Sequence, residues 1–421
     1  MEQYQIKRNI ICIDLKSFFA TVECVLRGLD PFTTPLVVAD ESRGGGAIAL
    51  AVSPYLKTKG VPSRLRLFEL PRGMDVIIAR PQMQQYLNYS AMVIEVYLEF
   101  ISEEDLYVYS IDEAFLDVTG YLNYYQMTDY ELAEKILKRI TEKTKMYATA
   151  GIGPNMLLAK VALDVEAKYA SNFIAKWTYE DVKTKLWEIK PLSKMWGIGA
   201  RMEEHLNILG LHKVGDIANF NVKLLKKRFG ILGEELYYHT HGIDMSLISE
   251  KLTTPRVRKS YGVGQVLFRS YEGHEVVLIL REMVDDITRR LRLAKKRSHT
   301  IALGVGYTKE DGGGFSRQLK LEQASNNNII IFEAVMELFN KFYDGSLIRR
   351  LSISASNLTD SKNYQYSIFE DANLLDREED LQVSIDILKQ KYGKNIVNRA
   401  SSELSHSTVK VRNKLIGGHH E

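Results

Sequence analysis

The sequence predicts a multidomain protein of mixed α+β and α/β class. Three observations predict it. Short β-branched runs alternate with segments of helical period over residues 9–170. A Gly-punctuated helical stretch begins near Pro191. A βαββαβ order, a split βαβ unit, then occupies residues 261–358.

The elements follow in order. "NIICIDL" is a strand, and residues 18–29 carry helical spacing. "PLVVAD", "AIALAV" and "MDVIIARP" are short strands, the last leading into a long helix over residues 82–101. Residues 107–111 and 114–118 are strand-like and enclose Asp112 and Glu113, which predicts a tight hairpin with both carboxylates at or near its turn. "DYELAEKILKRITEKTK" has apolar residues at helical spacing, and "YATAGIG" with the helix "PNMLLAKVALDVEAK" completes a mixed βα layer. "WGIGARMEEHLNILGLHKVGDIANF" looks like a helix–hairpin–helix. Backbone N–H groups at Gly197 and Gly199 would suit a phosphate, although the same turn also serves as a plain helix junction.

A second Gly-punctuated turn, "FGILGEELYYHTHG", follows, and "SEKLTTPRVRK" reads as a linker. In the last module "YGVGQVLF" is a strand and residues 275–296 a helix. "TIALGVGYT" and "FSRQLKLEQ" are strands joined by a Gly-rich turn. "IIIFEAVMELFNKFYD" is a helix and "LIRRLSISASNL" the last strand. Residues 361–421 are polar, with one weak helix near "LQVSIDILKQKYG", and read as a tail.

Composition narrows the function classes. The 421 residues are 45% hydrophobic and 26% charged, ordinary for two to four globular domains. The longest apolar stretches fall well short of the ~18 residues a membrane span needs. The N-terminus carries no signal-peptide pattern. Two cysteines, Cys12 and Cys24, make neither a disulfide framework nor a zinc site, which fits a reducing cytoplasm. Residues 251–317 hold 14 Lys+Arg against 7 Asp+Glu, whereas the whole chain nets only +3. A basic module on a mildly acidic body suits a polyanion partner; a solvated basic helix is the plainer reading. The run Gly44–Gly46 lacks the Lys-Ser/Thr of a phosphate-binding loop and reads as a turn.

The acids need an explanation, because strands disfavour them. "IICIDLKSFF" buries Asp14 at the end of an apolar strand, where an unpaired carboxylate needs a proton, a cation or a metal. Asp14, Asp112 and Glu113 near one sheet face would make an oxygen-rich site for magnesium or manganese rather than zinc. Two such ions activate a hydroxyl and stabilise a leaving pyrophosphate. Spacing alone does not bring Asp14 to Asp112, and a polar turn is the plain alternative. Taken singly, Phe18 and Phe19 read as core aromatics and Lys160 as a lysine snorkelling from an apolar helix.

Four segments, "CIDLKSFFATVE", "YSIDEAFLDVTG", "GIGPNMLLAKVA" and "WGIGARMEEHLNILGL", resemble in this order the Y-family DNA polymerases. The resemblance covers residues 9–358 and leans to the UmuC-like (polymerase V catalytic subunit) branch of Gram-positive bacteria and their mobile elements, with the closing "RNKLIGGHHE" in its favour. It implies a right hand: palm (1–25 and 80–185), fingers (26–79), helical thumb (186–248), linker (249–258), little finger (259–360) and a tail (361–421). It implies Asp14 and Asp112 as metal-bridging aspartates, Glu113 as third acid and the Leu15 carbonyl as a further metal ligand, for two Mg2+ ions (or Mn2+). Phe18 and Phe19 would lie beneath the incoming sugar, Phe19 as steric gate. Ile48 would sit over the templating pair, and Lys57 and Lys160 would contact nucleotide phosphates. Pro54 and Ala51 depart from the family's tyrosine and hydroxyl residue, which removes two possible triphosphate contacts.

The implied partners are primer–template DNA, through Gly197, Gly199, Arg256, Arg258, Lys259 and Arg269, and deoxynucleoside triphosphates. An accessory subunit or recombinase filament is a further possible partner. Gln365, Ile368 and Phe369, in "YQYSIFED", resemble the bacterial sliding-clamp peptide. The implied activity is low-fidelity, template-directed synthesis past damage in a cytoplasmic repair or SOS response. Two alternatives stand beside it: a palm-type nucleotidyl cyclase and a DNA-binding relative without catalysis.

Overall fold

The structure is a computed structural model, and it describes residues 1–71, 73–253, 258–361, 372–417 and 419–420. The chain divides into two units, Met1–Pro255 and Arg256–Glu421. Among the described residues no helix is long and apolar enough to cross a membrane.

The first unit is built on a five-stranded sheet. Its order is Leu106–Val108, Glu113–Asp117, Ile10–Leu15, Ala148–Gly153, Ile174–Lys176. The central strand Ile10–Leu15 runs antiparallel to both neighbours. Period-2 alternation gives this strand two buried faces. Ile11, Ile13 and Leu15 pack with Val93 and Val96 of helix Met83–Leu98 and Leu132, Ile136 and Ile140 of helix Asp129–Thr144. Ile10 and Cys12 face the other way, with Phe115, Met156, Ala159 and Leu163.

That second face is covered at unusually short range. A Cβ at Gly151 would lie 2.1 Å from the Ala159 carbonyl oxygen, and one at Gly153 2.5 Å from the Ala159 nitrogen. Glycine at these two positions lets helix Met156–Ala162 lie directly on the strand. Asn155 caps this helix by accepting from the Leu158 amide at 2.8 Å. The helix then loosens into a π-helical turn, Leu163–Ala167. A separate small sheet, Ala51–Val52, Leu36–Val38, Ile77–Ala79, has its own core of Val37, Val52, Leu56 and Leu65. Short helices follow from Ala200 onward. Residues 249–253, expected as linker, belong to helix Ile248–Thr253, whose Ile248 packs with Ile10, Cys12 and Phe115.

The second unit has the expected βαββαβ order: Ser260–Tyr271, Gly273–Leu293, Lys296–Tyr307, Gly314–Ser325, Asn328–Phe342, Ile348–Asp360. Both helices pack on one face of the four-stranded sheet, around Ile279, Val284, Ile301, Leu303, Leu338 and Ile353. Of the segment expected as a tail, the described residues 372–417 are instead folded onto this unit. Helix Ala372–Tyr392 is held by Arg292 to Asp386 at 2.7 Å and Arg297 to Glu379 at 2.6 Å. Farther on, Arg399 pairs with Asp285 at 2.9 Å, and Ser407 and Thr408 donate to the buried Glu282. The docking surface is ionic, so the sequence there lacks the apolar stripe that marks a packed helix.

Candidate active site

The strand register brings the acids together. Asp14 stands directly opposite Glu113 across the pair of strands. Cross-strand partners share a face, so both project toward helix Met156–Ala162. Asp112 is the last residue of the hairpin turn; its carbonyl accepts from the Leu15 amide at 2.9 Å, and its Oδ1 accepts from Ser110 Oγ at 2.7 Å. The sheet therefore carries Asp14, Leu15, Asp112 and Glu113 at one end.

The covering helix supplies Lys160, already named from the sequence, and two charges that sequence reasoning missed, Asp164 and Lys168. Lys160, Asp164 and Lys168 recur every four residues through the π-helical turn, and such turns gather at functional sites. They form a chain of ion pairs with the strand acids. Glu113 pairs with Lys160 at 2.9 Å, Lys160 with Asp164 at 3.1 Å, Asp164 with Lys168 at 2.8 Å and Lys168 with Asp14 at 2.9 Å. Lys160 lies at the bottom, its side chain 8% exposed, whereas that of Lys168 is 37% exposed. The spacing in "KVALDVEAK" was the available signal for this stripe.

Burial raises the pKa of Asp14, and Lys168 only partly offsets it. Burial likewise raises Glu113, with Lys160 opposing. Lys168 loses basicity through burial, but Asp14 and Asp164 together reverse this and leave its pKa raised. Lys57, on the helix Pro54–Thr58 capped by Ser53, is lowered by burial, with Asp14 pulling the other way. Lys16 is lowered by burial and then by Lys57. Three ammonium groups, Lys16, Lys57 and Lys168, thus act on one another around Asp14.

The donors of the acid cluster are all oxygens, and two sit where burial makes positive charge favourable. That chemistry fits a hard divalent cation. Among the described residues no three His, Cys, Asp or Glu side chains already stand as a metal-holding group. Asp14 and Glu113 are held by ammonium groups instead.

The chain passes from the acid strand to the Phe-Phe helix through Ser17, which holds left-handed backbone angles, φ 49° and ψ 46°. A non-glycine residue there is strained, a feature that concentrates at functional sites. Thr21 braces the turn, its Oγ1 donating to the Lys16 carbonyl at 2.6 Å. Phe18 is buried, and Phe19, partly buried, lies 5.4 Å from it ring to ring. Ile48 is 56% exposed and bridges Arg66.

The remaining predicted residues fall elsewhere. Gly197 takes φ +93°, a conformation that favours glycine, and Gly199 caps helix Ala200–Ile208. Lys259 is exposed, as is Arg258, whose guanidinium lies over the Tyr261 ring. Arg269 is already neutralised by Glu275, whose carboxylate accepts from both its terminal nitrogens. Arg256, Gln365, Ile368 and Phe369 lie outside the described residues. The sheet face of the second unit that is turned from its helices carries small side chains. Register aligns Gly264, Ser352, Gly304 and Ser316 in one row and Gly262, Ser354, Ala302 and Gln318 in the next.

Comparison with known proteins agrees with this architecture. The impB/mucB/samB family model matches residues 13–164, the IMS family HHH motif residues 179–211, and the impB/mucB/samB family C-terminal domain residues 258–368. The chain is 40% identical over 416 residues to a Bacillus subtilis (strain 168) protein named for UV-damage repair, UvrX, covering 98% of each. It is 34% identical over 421 residues to DNA polymerase IV 2 of the same organism, covering 99% of each. A solved structure, the Y-family DNA polymerase chimera Dbh-Dpo4(243-245)-Dbh, superposes with a TM-score of 0.66 at 23% identity, over 84% of this chain and 99% of that one. The chain belongs to the impB/mucB/samB family, the Y-family DNA polymerases.

Proposed function

We infer that this protein is a template-directed DNA polymerase that adds deoxynucleotides to a primer and tolerates damage in the template. The observation that carries the reading is Asp14 opposite Glu113 in register, with Asp112 in the adjoining turn and three lysines around them. Asp14, Asp112, Glu113 and the Leu15 carbonyl would hold magnesium or manganese, which when bound would supply positive charge to a primer hydroxyl and a leaving pyrophosphate. Lys168, Lys57 and Lys16 hold the triphosphate. Lys168 takes that role in preference to Lys160, because each lies between two carboxylates but Lys168 is the more exposed ammonium of the stripe. Phe19 meets the sugar and Ile48 the templating pair.

DNA lies on the small-residue sheet face of the second unit, where Gly, Ser and Ala allow close approach to a sugar–phosphate backbone. The Gly197–Gly199 hairpin, Arg258 and Lys259 add phosphate contacts. Residues 365–369 tether the protein to a sliding clamp, Gln365 bonding at the rim of a pocket that takes Ile368 and Phe369. The names of the relatives, DNA polymerase IV 2 and a UV-damage repair protein, support a repair role. A nucleotidyl cyclase has no use for the second unit, and a relative without catalysis has no use for three intact acids. The deciding experiment is primer extension by the purified chain on intact and lesion-bearing templates with magnesium. Extension past the lesion supports the reading; DNA binding without extension, or a cyclic product from free nucleotide, rejects it.

A further inference from the structure

Glu23 lies one helical turn beyond Phe19 and is fully buried, at 0% exposure. A carboxylate at that depth persists only if its oxygens are satisfied. Arg27, the C-cap of the helix Phe18–Leu26 that carries it, pairs with it. Gln82 Nε2 donates at 3.2 Å, and the Tyr86 hydroxyl donates at 2.5 Å. Tyr86, also fully buried, belongs to helix Met83–Leu98. Its ring lies 4.7 Å from the Phe19 ring, inclined at 41°, and 6.3 Å from the Phe18 ring. One tyrosine therefore touches the sugar-facing phenylalanine with its ring and is anchored at its far end by a buried ion.

Stability alone does not call for this arrangement, since apolar groups of the same volume often serve a buried position as well or better. What the hydrogen bond adds is position. A phenol tied at its oxygen cannot slide along the helix axis, so the wall behind Phe19 is fixed. A steric filter depends on such a wall, because displacements of ~1 Å at a reacting centre change rates by about 100-fold.

We propose that Tyr86, anchored by Glu23, is a positioning residue that fixes the Phe19 ring and so sets how strongly the enzyme rejects a ribose 2′ hydroxyl. The proposal rests on the reading of Phe19 as the residue that meets the sugar. A loosened wall admits the hydroxyl, so the expected effect is a gain in ribonucleotide use. General damage to the fold does not produce a gain.

The test is single-nucleotide insertion with matched deoxyribonucleoside and ribonucleoside triphosphates. The proteins compared are the wild type, Tyr86→Phe, Tyr86→Leu, Phe19→Ala and the double variant Tyr86→Phe/Phe19→Ala. Tyr86→Phe is expected to raise ribonucleotide kcat/KM about 5-fold, the scale of one hydrogen bond. Tyr86→Leu is expected to raise it on the order of 10-fold. With Phe19 already removed, Tyr86→Phe should add nothing, because the two act as a unit. Glu23→Gln, which keeps an acceptor, should disturb discrimination less than Glu23→Ala. Thermal unfolding shows which variants are folded, and Tyr86→Phe, which differs by one oxygen, carries the test if Tyr86→Leu does not fold. If Phe19→Ala admits ribonucleotides while the Tyr86 variants slow both substrates in equal ratio, the positioning role is wrong and the sugar reading stands. If Phe19→Ala leaves discrimination unchanged, the sugar reading falls and takes the proposal with it.

Discussion

Lys168 Nζ stands 2.9 Å from Asp14 Oδ2, so an ammonium group neutralises the first acid of the site. Lys160 plays the same part for Glu113, but at depth. Two lysines on one stripe thus have different consequences when removed. Lys168→Met should raise the KM for incoming nucleotide by about 10-fold, one lost charge-assisted contact, with little change in melting temperature. Lys160→Met leaves Glu113 without its ion pair in a buried setting, while Asp164 keeps Lys168, and should cost about 3 kcal/mol of stability. Steady-state kinetics and thermal unfolding of the pair distinguish these outcomes. A KM effect confined to Lys160→Met would return the phosphate role to Lys160.

The acids themselves should be indispensable to chemistry and dispensable to DNA binding. Asp112→Ala and Glu113→Ala are each expected to lower nucleotide addition about 1000-fold or more. Duplex affinity, measured by fluorescence anisotropy, should stay within about twofold, because phosphate contacts dominate it. Near-normal extension by either variant would remove that residue from the site.

Charge on the second unit can be tested with one substitution on the open sheet face and one off it. Ser352→Glu places a carboxylate among Gly264, Gly304 and Ser316. It should weaken duplex binding about fivefold at low salt, through repulsion of the phosphates. Arg269→Gln should change it much less, since Glu275 already balances that guanidinium. The reverse order of effects would move the DNA track from the sheet face to the Arg269 edge.

The same ion pair has a pH signature. Arg269 and the Glu272 backbone amide hold the Glu275 carboxyl down at about 2. A depressed carboxyl contributes stability above its ordinary pKa of about 4.5 and loses it as pH falls through about 2. Arg269→Gln should shift the Glu275 titration upward toward its ordinary value, observable by carbon-13 side-chain NMR. An unmoved titration would show that the backbone amide alone sets it.

Much of this was readable in the sequence because period and family motif agree. The β-branched run ending in Asp14, the Asp-Glu hairpin and the βαββαβ order are local patterns, and the structure has each. Lys168 was missed as a site residue: the four-residue spacing in "KVALDVEAK" puts it on the Lys160 stripe, but such spacing alone reads as a solvated charged face, and only the π-helical turn lying on the strand brings it to Asp14. The hydrogen-bonded set of buried Glu23 and Tyr86 with Gln82 joins residues about 60 positions apart, and only the helix crossing brings them together. The described residues 372–417 were misread for a different reason. Their helix docks by Arg292–Asp386 and Arg297–Glu379, and a helix that packs through charge looks solvated when hydrophobic spacing is the guide.

That folded-back segment also bears on how the second unit assembles. Glu282 finds its side-chain partners in Ser407 and Thr408, 125 and 126 positions along the chain. Contacts so distant in sequence are slow to form, because the closure entropy comes before any reward. The βαββαβ sheet and its helices can collapse around their own apolar core first, leaving the segment to seal Glu282 afterwards. Amide protons near residues 399–412 should accordingly exchange faster than those of strand Ile348–Asp360, with the segment as the last part to close and the first to open.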